Sequence, residues 1–172
     1  MKEENYIMSK SEDALKEAFA GESQANRKYL AFAQAADKES FPQVAKLFRA
    51  AAEAETVHAI NHLKAVKGIR TTKENLEESI GGESHEFTSM YPAMIETAIK
   101  EGNKEAERSF EWANAVEQVH AKLYKGLLDN LGQSKEDYPY YVCPVCGYTV
   151  GKEAPDSCPV CGTKGRMFKK ID

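Results

Sequence analysis

The 172-residue sequence has no low-complexity tract, no arginine cluster or basic helix face, and no Gly-rich dinucleotide fingerprint. It also has no apolar run approaching the roughly 18 residues of a membrane-spanning helix. These absences exclude a helical membrane span, give nucleic acid no evident surface, and argue against direct NADH binding. Met1 to Lys10 is charged and lacks the apolar stretch of an export signal, so a cytoplasmic location is expected. Cysteine is missing until Cys143, and all four cysteines fall in two C-x-x-C pairs near the C-terminus. In a reducing compartment such pairs read as metal ligands more than as disulfides.

What is present is a soluble globular composition, with 42% hydrophobic and 29% charged residues. The net charge of −4 divides into about +2 from Tyr141 onward and about −6 before it. Helical periodicity runs from about Ser9 to Asp37 through Leu15, Phe19, Tyr29, Phe32, Ala33 and Ala36, with Ser9 or Ser11 as the expected cap. A second helix is predicted from about Phe41 to Lys67, capped by Ser40, with Pro42 in its first turn and Gly68 ending it. After a polar connection, Ile69 to Glu78, a third spans roughly Ser79 to Lys100 with a kink at Pro92. Glu101-Gly102-Asn103 forms a turn, and a fourth helix runs from about Lys104 to Leu131. The expected fold is an all-α four-helix bundle over residues 1–132, a linker at 133–140 and a small metal-knuckle domain at 141–172.

The two helix pairs echo each other. Gly21-Glu22-Ser23 returns as Gly82-Glu83-Ser84, and Glu55-Thr56-Val57-His58-Ala59 as Glu117-Gln118-Val119-His120-Ala121. A Glu and a His at i, i+3 share a helix face, so both can reach one metal. Glu22 lies 18 residues before Ser40 and Glu55 lies 15 after it, depths of about 27 and 22 Å from the turn at 1.5 Å per residue. Glu86 and Glu117 stand at similar distances from Gly102, with Glu83 one turn further. One Glu from each of two helices and Glu-x-x-His from each of the other two is the ligand pattern of a di-iron bundle. Grouping so many acids without a cation would be costly. His62 has no counterpart, since Tyr124 takes that place, and His85 points elsewhere on its helix. Tyr29 and Tyr91, each about two turns beyond a candidate ligand, are either core residues or hydrogen-bond partners of the carboxylates.

In the tail, Cys143-Pro144-Val145-Cys146-Gly147 is followed by Cys158-Pro159-Val160-Cys161-Gly162. Two such knuckles give tetrahedral sulfur coordination, which suits zinc or iron without deciding between them. Tyr141, Tyr148, Phe168 and Ala154-Pro155 are the expected apolar shell.

Phe19-Ala20-Gly21-Glu22-Ser23-Gln24-Ala25, both Glu-x-x-His segments, Gly82-Glu83-Ser84-His85-Glu86, Met90-Tyr91-Pro92 and the Tyr-Val-Cys-Pro-Val-Cys-Gly-Tyr run together resemble rubrerythrin over nearly the whole chain. The resemblance implies a ferritin-like bundle whose irons are held by Glu22, Glu55, His58, Glu83, Glu86, Glu117 and His120. It also implies a rubredoxin-like iron on Cys143, Cys146, Cys158 and Cys161. Glu86 has no counterpart in the first half, where Ala25 stands, and in the family it exchanges with the histidine matched by His58 as a ligand of one iron. The implied activity is reduction of hydrogen peroxide to water. Electrons would come from an external donor, a rubredoxin or an NAD(P)H-dependent reductase. A homodimer is implied too, in which one subunit's rubredoxin-like iron lies near the partner's di-iron site, with helices exchanged through the Ile69–Glu78 connection as an open arrangement. Iron storage by a ferroxidase bundle, or a zinc-ribbon scaffold with a vestigial bundle site, are the rival readings.

Overall fold

A computed structural model describes residues 10–133 and 136–172. The chain divides into two compact units, Met1–Arg70 and Thr71–Asp172.

The first unit is a helical hairpin of α1 (Lys10–Lys38) and α2 (Pro42–Ala65), packed along their lengths. The seam is built from small residues at heptad spacing: Asn26 and Ala33 on α1, and Ala45, Ala52 and Ala59 on α2. Small side chains at every seventh position let the two backbones approach closely. Ala33, Ala36 and Ala45 form the buried cluster, with Phe48 against it. Asn26 is the buried polar exception, and its amide is satisfied. Nδ2 donates to the Ala52 carbonyl at 2.6 Å and to Thr56 Oγ1 at 2.8 Å, while Oδ1 accepts from Arg27 Nε at 2.9 Å.

Ser9 lies outside the described residues, and Ser11 sits inside α1. Ser40 does not cap α2. It adopts φ +63° in a tight reversal where Phe41 N–H donates to the Ala36 carbonyl, and Phe41 occupies the cap position without a side-chain bond. At the other end α2 stops at Ala65, and Lys67 (φ +56°) rather than glycine takes the left-handed conformation. Gly68 follows, and a Cβ there would require the tip of the Leu63 side chain to shift.

The second unit opens with α3 (Thr72–His85), which begins well before the expected Ser79. The cause is a capping box. Glu74 N–H donates to Thr71 Oγ1 at 3.3 Å, and Thr71 N–H donates to Glu74 Oε2 at 3.1 Å. The supposed polar connection is therefore mostly the first turns of a helix.

A π-helical turn, Glu86–Met90, joins α3 to α4 (Tyr91–Glu101). Pro92 has no N–H for the Thr88 carbonyl, and Tyr91 N–H reaches back five residues to the Glu86 carbonyl. This wide turn absorbs one residue. Glu22 and Glu55 are 33 positions apart and Glu83 and Glu117 are 34; Glu22 to Tyr29 is 7 and Glu83 to Tyr91 is 8. The inserted residue would otherwise rotate Tyr91 off the face that carries Glu83. Gly102, at φ +68°, closes α4, and Asn103 caps α5 (Lys104–Asp129) through a 3.1 Å bond from Ala106 N–H. Both α3 and α4 pack on α5.

The tail forms a three-stranded antiparallel sheet of order β2-β1-β3, from β1 (Tyr140–Val142), β2 (Thr149–Gly151) and β3 (Lys169–Ile171). Tyr141 pairs with Val150 and with Lys170. Cys143, Cys158 and Phe168 are its buried centre, ringed by Tyr141, Tyr148, Val150, Ala154 and Val160. Such a core is too small to order the module alone, so a bound metal is its natural staple.

Because the capping box sets where α3 starts, Thr71→Ala is expected to cost about 1 kcal/mol. Amides of the first α3 turn would then exchange with deuterium about fivefold faster than in the wild type; unchanged exchange there would deny the cap its role.

Candidate metal centres

Three groups of donor side chains converge among the described residues. In each, the ligand atoms lie within 4.8 Å of one another.

The first is Glu22, Glu55 and His58 in the α1–α2 hairpin. Glu55 and His58 stand one turn apart, and His58 Nδ1 lies 2.7 Å from Glu55 Oε2. The His58 side chain is 55% exposed and Glu55 only 18%. Tyr29 packs its ring against Phe32 and Phe48.

The second group is Glu83, Glu117 and His120, from α3 and α5. His120 Nδ1 lies 2.8 Å from Glu117 Oε2 and 3.7 Å from Glu83 Oε2. Burial raises the Glu83 carboxyl above the ordinary glutamate range, and the neighbouring Glu117 raises it further, against a lowering by His120. Tyr91 stacks near Phe110, with ring centroids 6.3 Å apart. Its phenol is pushed up first by burial and then by the charges of Glu86, Glu117 and Glu83. Glu86 is thus an electrostatic neighbour of Tyr91 but stands outside both three-residue groups, as do His62 and His85.

These sets fit a cation on chemical grounds. Two carboxylates and an imidazole turn lone pairs toward one point, and without a positive charge between them they repel. Each of the two units supplies one such set.

The third group is Cys143, Cys146, Cys158 and Cys161. Both knuckles have the same backbone. Gly147 N–H donates to the Cys143 carbonyl at 3.0 Å and Gly162 N–H to the Cys158 carbonyl at 2.9 Å, with the two glycines at φ +84° and +76°. Sulfur atoms approach to 3.6 Å (Cys143–Cys161) and 3.4 Å (Cys146–Cys158). That is far beyond the roughly 2.04 Å of a disulfide. It is close to the edge of about 3.8 Å expected for a tetrahedron with metal–sulfur bonds of about 2.3 Å. Burial raises the Cys146 and Cys158 thiols. Burial acts upward on Cys161 too, but hydrogen bonds from the Thr163 side chain and backbone, with help from Cys146 and Cys143, bring it down to about 6. Thr163 Oγ1 lies 3.1 Å from that sulfur.

The cysteine module touches the second carboxylate group. Thr149 Oγ1 in β2 lies 3.0 Å from His120 Nε2, and the Gly147 Cα faces Val116 on the preceding turn of α5. Neither Thr149 nor Thr163 was a candidate in the sequence. Each bonds through a hydroxyl that carries no motif, and the His120–Thr149 contact joins residues 29 positions apart.

The sequence model of the family described as Rubrerythrin matches residues 13–128, and that described as Rubrerythrin, rubredoxin-like domain, matches residues 141–169. The chain is 36% identical to Rubrerythrin-2 of Clostridium acetobutylicum, over 91% of this chain and 94% of that protein. It is 37% identical to a rubrerythrin of Porphyromonas gingivalis, over 95% of this chain and 90% of that one. A solved structure of nigerythrin in a mixed-valent state is similar with a TM-score of 0.58 and 31% identity, covering 99% of this chain and 91% of that chain. The fold class is accordingly ferritin-like and helical, with a C-terminal rubredoxin-like module. The donor groups fit its cofactors, a di-iron centre and a four-cysteine iron site.

A raised carboxyl keeps its proton in the folded chain after the unfolded chain has lost it. Its contribution to stability is therefore full below the ordinary glutamate range and is lost as pH rises through the folded value. The metal-free protein should accordingly lose urea stability as pH rises above the ordinary glutamate range of about 4.3, and Glu83→Gln should flatten that slope. An identical slope in the variant would mean that Glu83 is not under this stress.

Proposed function

The chain belongs to the rubrerythrin family, and from that premise we propose that it is a non-haem di-iron peroxidase that reduces hydrogen peroxide to water. In this reading Glu22, Glu55, His58, Glu83, Glu86, Glu117 and His120 hold the iron pair in the helical domain, residues 1–132. Cys143, Cys146, Cys158 and Cys161 hold the electron-carrying iron in the domain at 141–172, beyond a linker at 133–140. Iron held at these positions supplies one-electron chemistry, and two such electrons balance the reaction H2O2 + 2e⁻ + 2H⁺ → 2H2O.

The observation that carries the proposal is the bond between Thr149 and His120. A storage bundle has no need of an electron carrier, whereas here the carrier's own module touches a candidate ligand of the reacting centre. The carboxylates neutralise the cations and leave room for a small oxidant. Tyr91, whose phenol is kept protonated by burial and by Glu86, Glu117 and Glu83, is a proton-holding group beside the site. Tyr29 takes the matching place in the first hairpin.

With no dinucleotide fingerprint in the chain, its electrons come from outside, through a rubredoxin or an NAD(P)H-dependent reductase. A homodimer in the cytoplasm is the working form we propose. No described helix is long and apolar enough to cross a membrane, and four free thiols suit a reducing compartment.

Stopped-flow spectroscopy tests this. Iron-loaded, anaerobically reduced protein mixed with hydrogen peroxide should regain the red ferric–thiolate absorption rapidly, consuming two electrons per peroxide. Glu117→Ala should slow that return by on the order of 10- to 100-fold, and Glu86→Ala should slow it as well. Reoxidation no faster in the intact protein than in Glu117→Ala would exclude the relay.

A further inference from the structure

Thr149 has one hydroxyl hydrogen and two close partners. Its Oγ1 lies 3.0 Å from the Gly147 carbonyl oxygen and 3.0 Å from His120 Nε2. A carbonyl oxygen can only accept, so the hydroxyl donates to Gly147. A lone pair of Oγ1 is then what faces His120, and Nε2 must carry the hydrogen that fills that contact. In a neutral imidazole with its hydrogen on Nε2, Nδ1 is the bare nitrogen. Nδ1 is also the atom that faces Glu117 Oε2 at 2.8 Å and Glu83 Oε2 at 3.7 Å.

We propose that Thr149 is a positioning residue for His120, reaching out of the cysteine module to fix Nδ1 as the nitrogen offered to a metal at Glu83 and Glu117. This rests on the reading that these three residues hold a metal. Three features make the device a built one. Thr149 is held by β2, which is hydrogen-bonded to β1. Its acceptor, Gly147, follows the ligand Cys146 directly and is locked at φ +84° by the knuckle, with its N–H on the Cys143 carbonyl. His120 meets Thr149, and Val116, one turn earlier on α5, lies where a Cβ on Gly147 would come within 3.9 Å of it, so the knuckle and the strand face one side of that helix. His58, the counterpart of His120 in the repeat, has a 55% exposed side chain and lies 2.7 Å from Glu55. The two histidines of the repeat are thus held differently, and the module supplies the difference. A partner on the outer nitrogen of a ligating histidine fixes its tautomer and ring angle, and its loss typically weakens metal binding roughly 10- to 100-fold.

The same hydroxyl completes a short path. Cys146 is bonded to Gly147, the Gly147 carbonyl accepts from Thr149, and Thr149 accepts from His120. Folding of the cysteine module and orientation of a bundle ligand are therefore coupled within one chain.

The test uses the full chain, labelled with ¹⁵N-histidine and loaded with zinc as a diamagnetic probe, as wild type, Thr149→Val and Thr149→Ser. Long-range proton–nitrogen spectra of the wild type should show His120 ligated through Nδ1 with a slowly exchanging Nε2–H. Chelator competition should show Thr149→Val binding zinc at the carboxylate–histidine site at least about tenfold more weakly, with the Nε2–H signal lost to exchange. Thr149→Ser should restore both. The iron-loaded Thr149→Val protein should keep its ferric–thiolate absorption, which separates a lost contact from an unfolded module. Unchanged affinity together with a protected Nε2–H in Thr149→Val would overturn the proposal. Zinc binding unaffected by His120→Ala would instead remove the metal reading beneath it.

Discussion

Like charges gathered at close range must be reconciled, by a cation between them or, as at Glu83, by a retained proton. Glu83, Glu117 and the imidazole of His120 converge, as do Glu22, Glu55 and His58 and, in the tail, four sulfur atoms. Much of the surrounding architecture is what holds these donors in place against their repulsion. The alanine seam of α1 and α2 is narrow enough to bring Glu22 and Glu55 together from facing helices. The capping box of α3 and the Asn103 cap of α5 fix where the two helices carrying Glu83 and Glu117 begin. The Glu83 carboxyl is raised chiefly by burial and further by the neighbouring Glu117.

The same constraint explains why the π-turn sits where it does. A repeat of two hairpins would be exact only if both had the same length between ligands, and the second has one residue more. An insertion within a regular helix rotates everything beyond it by about 100°. Housing the extra residue in the wide turn before Pro92 keeps Tyr91 on the ligand side, where Glu83, Glu86 and Glu117 all act on its phenol. Proline and π-turn work together here, since the missing N–H of Pro92 frees the carbonyl that a regular helix would have used.

The cysteine module brings a different kind of order. Its sheet is three residues long in every strand, and its core is largely the ligands themselves. Such a unit gains its rigidity from metal, and it then lends that rigidity outward through Gly147 and Thr149 to α5. The cysteine module and His120 meet through one hydroxyl, across 29 positions of sequence.

How much of this was legible depends on the range of the interaction. A Glu and a His three residues apart share a helix face whatever else the chain does, so Glu55–His58 and Glu117–His120 could be read from spacing alone. The cysteine knuckles likewise carry their geometry within five residues. The start of α3 was missed although Thr71 and Glu74 spell a capping box, because the polar residues after it read as a connection. Ser40 misled in the opposite way, as a good capping residue that the tight reversal forces into the left-handed region. The π-turn left only a faint trace, the difference between 33 and 34. The sequence by itself determined the donors, their pairing along each helix and the tetrahedral sulfur set, because these depend on local backbone periodicity. Only tertiary structure decided that Thr149 meets His120 and that Asn26 bridges to Ala52 and Thr56, because those bonds join distant segments through hydroxyl and amide groups that no local pattern marks.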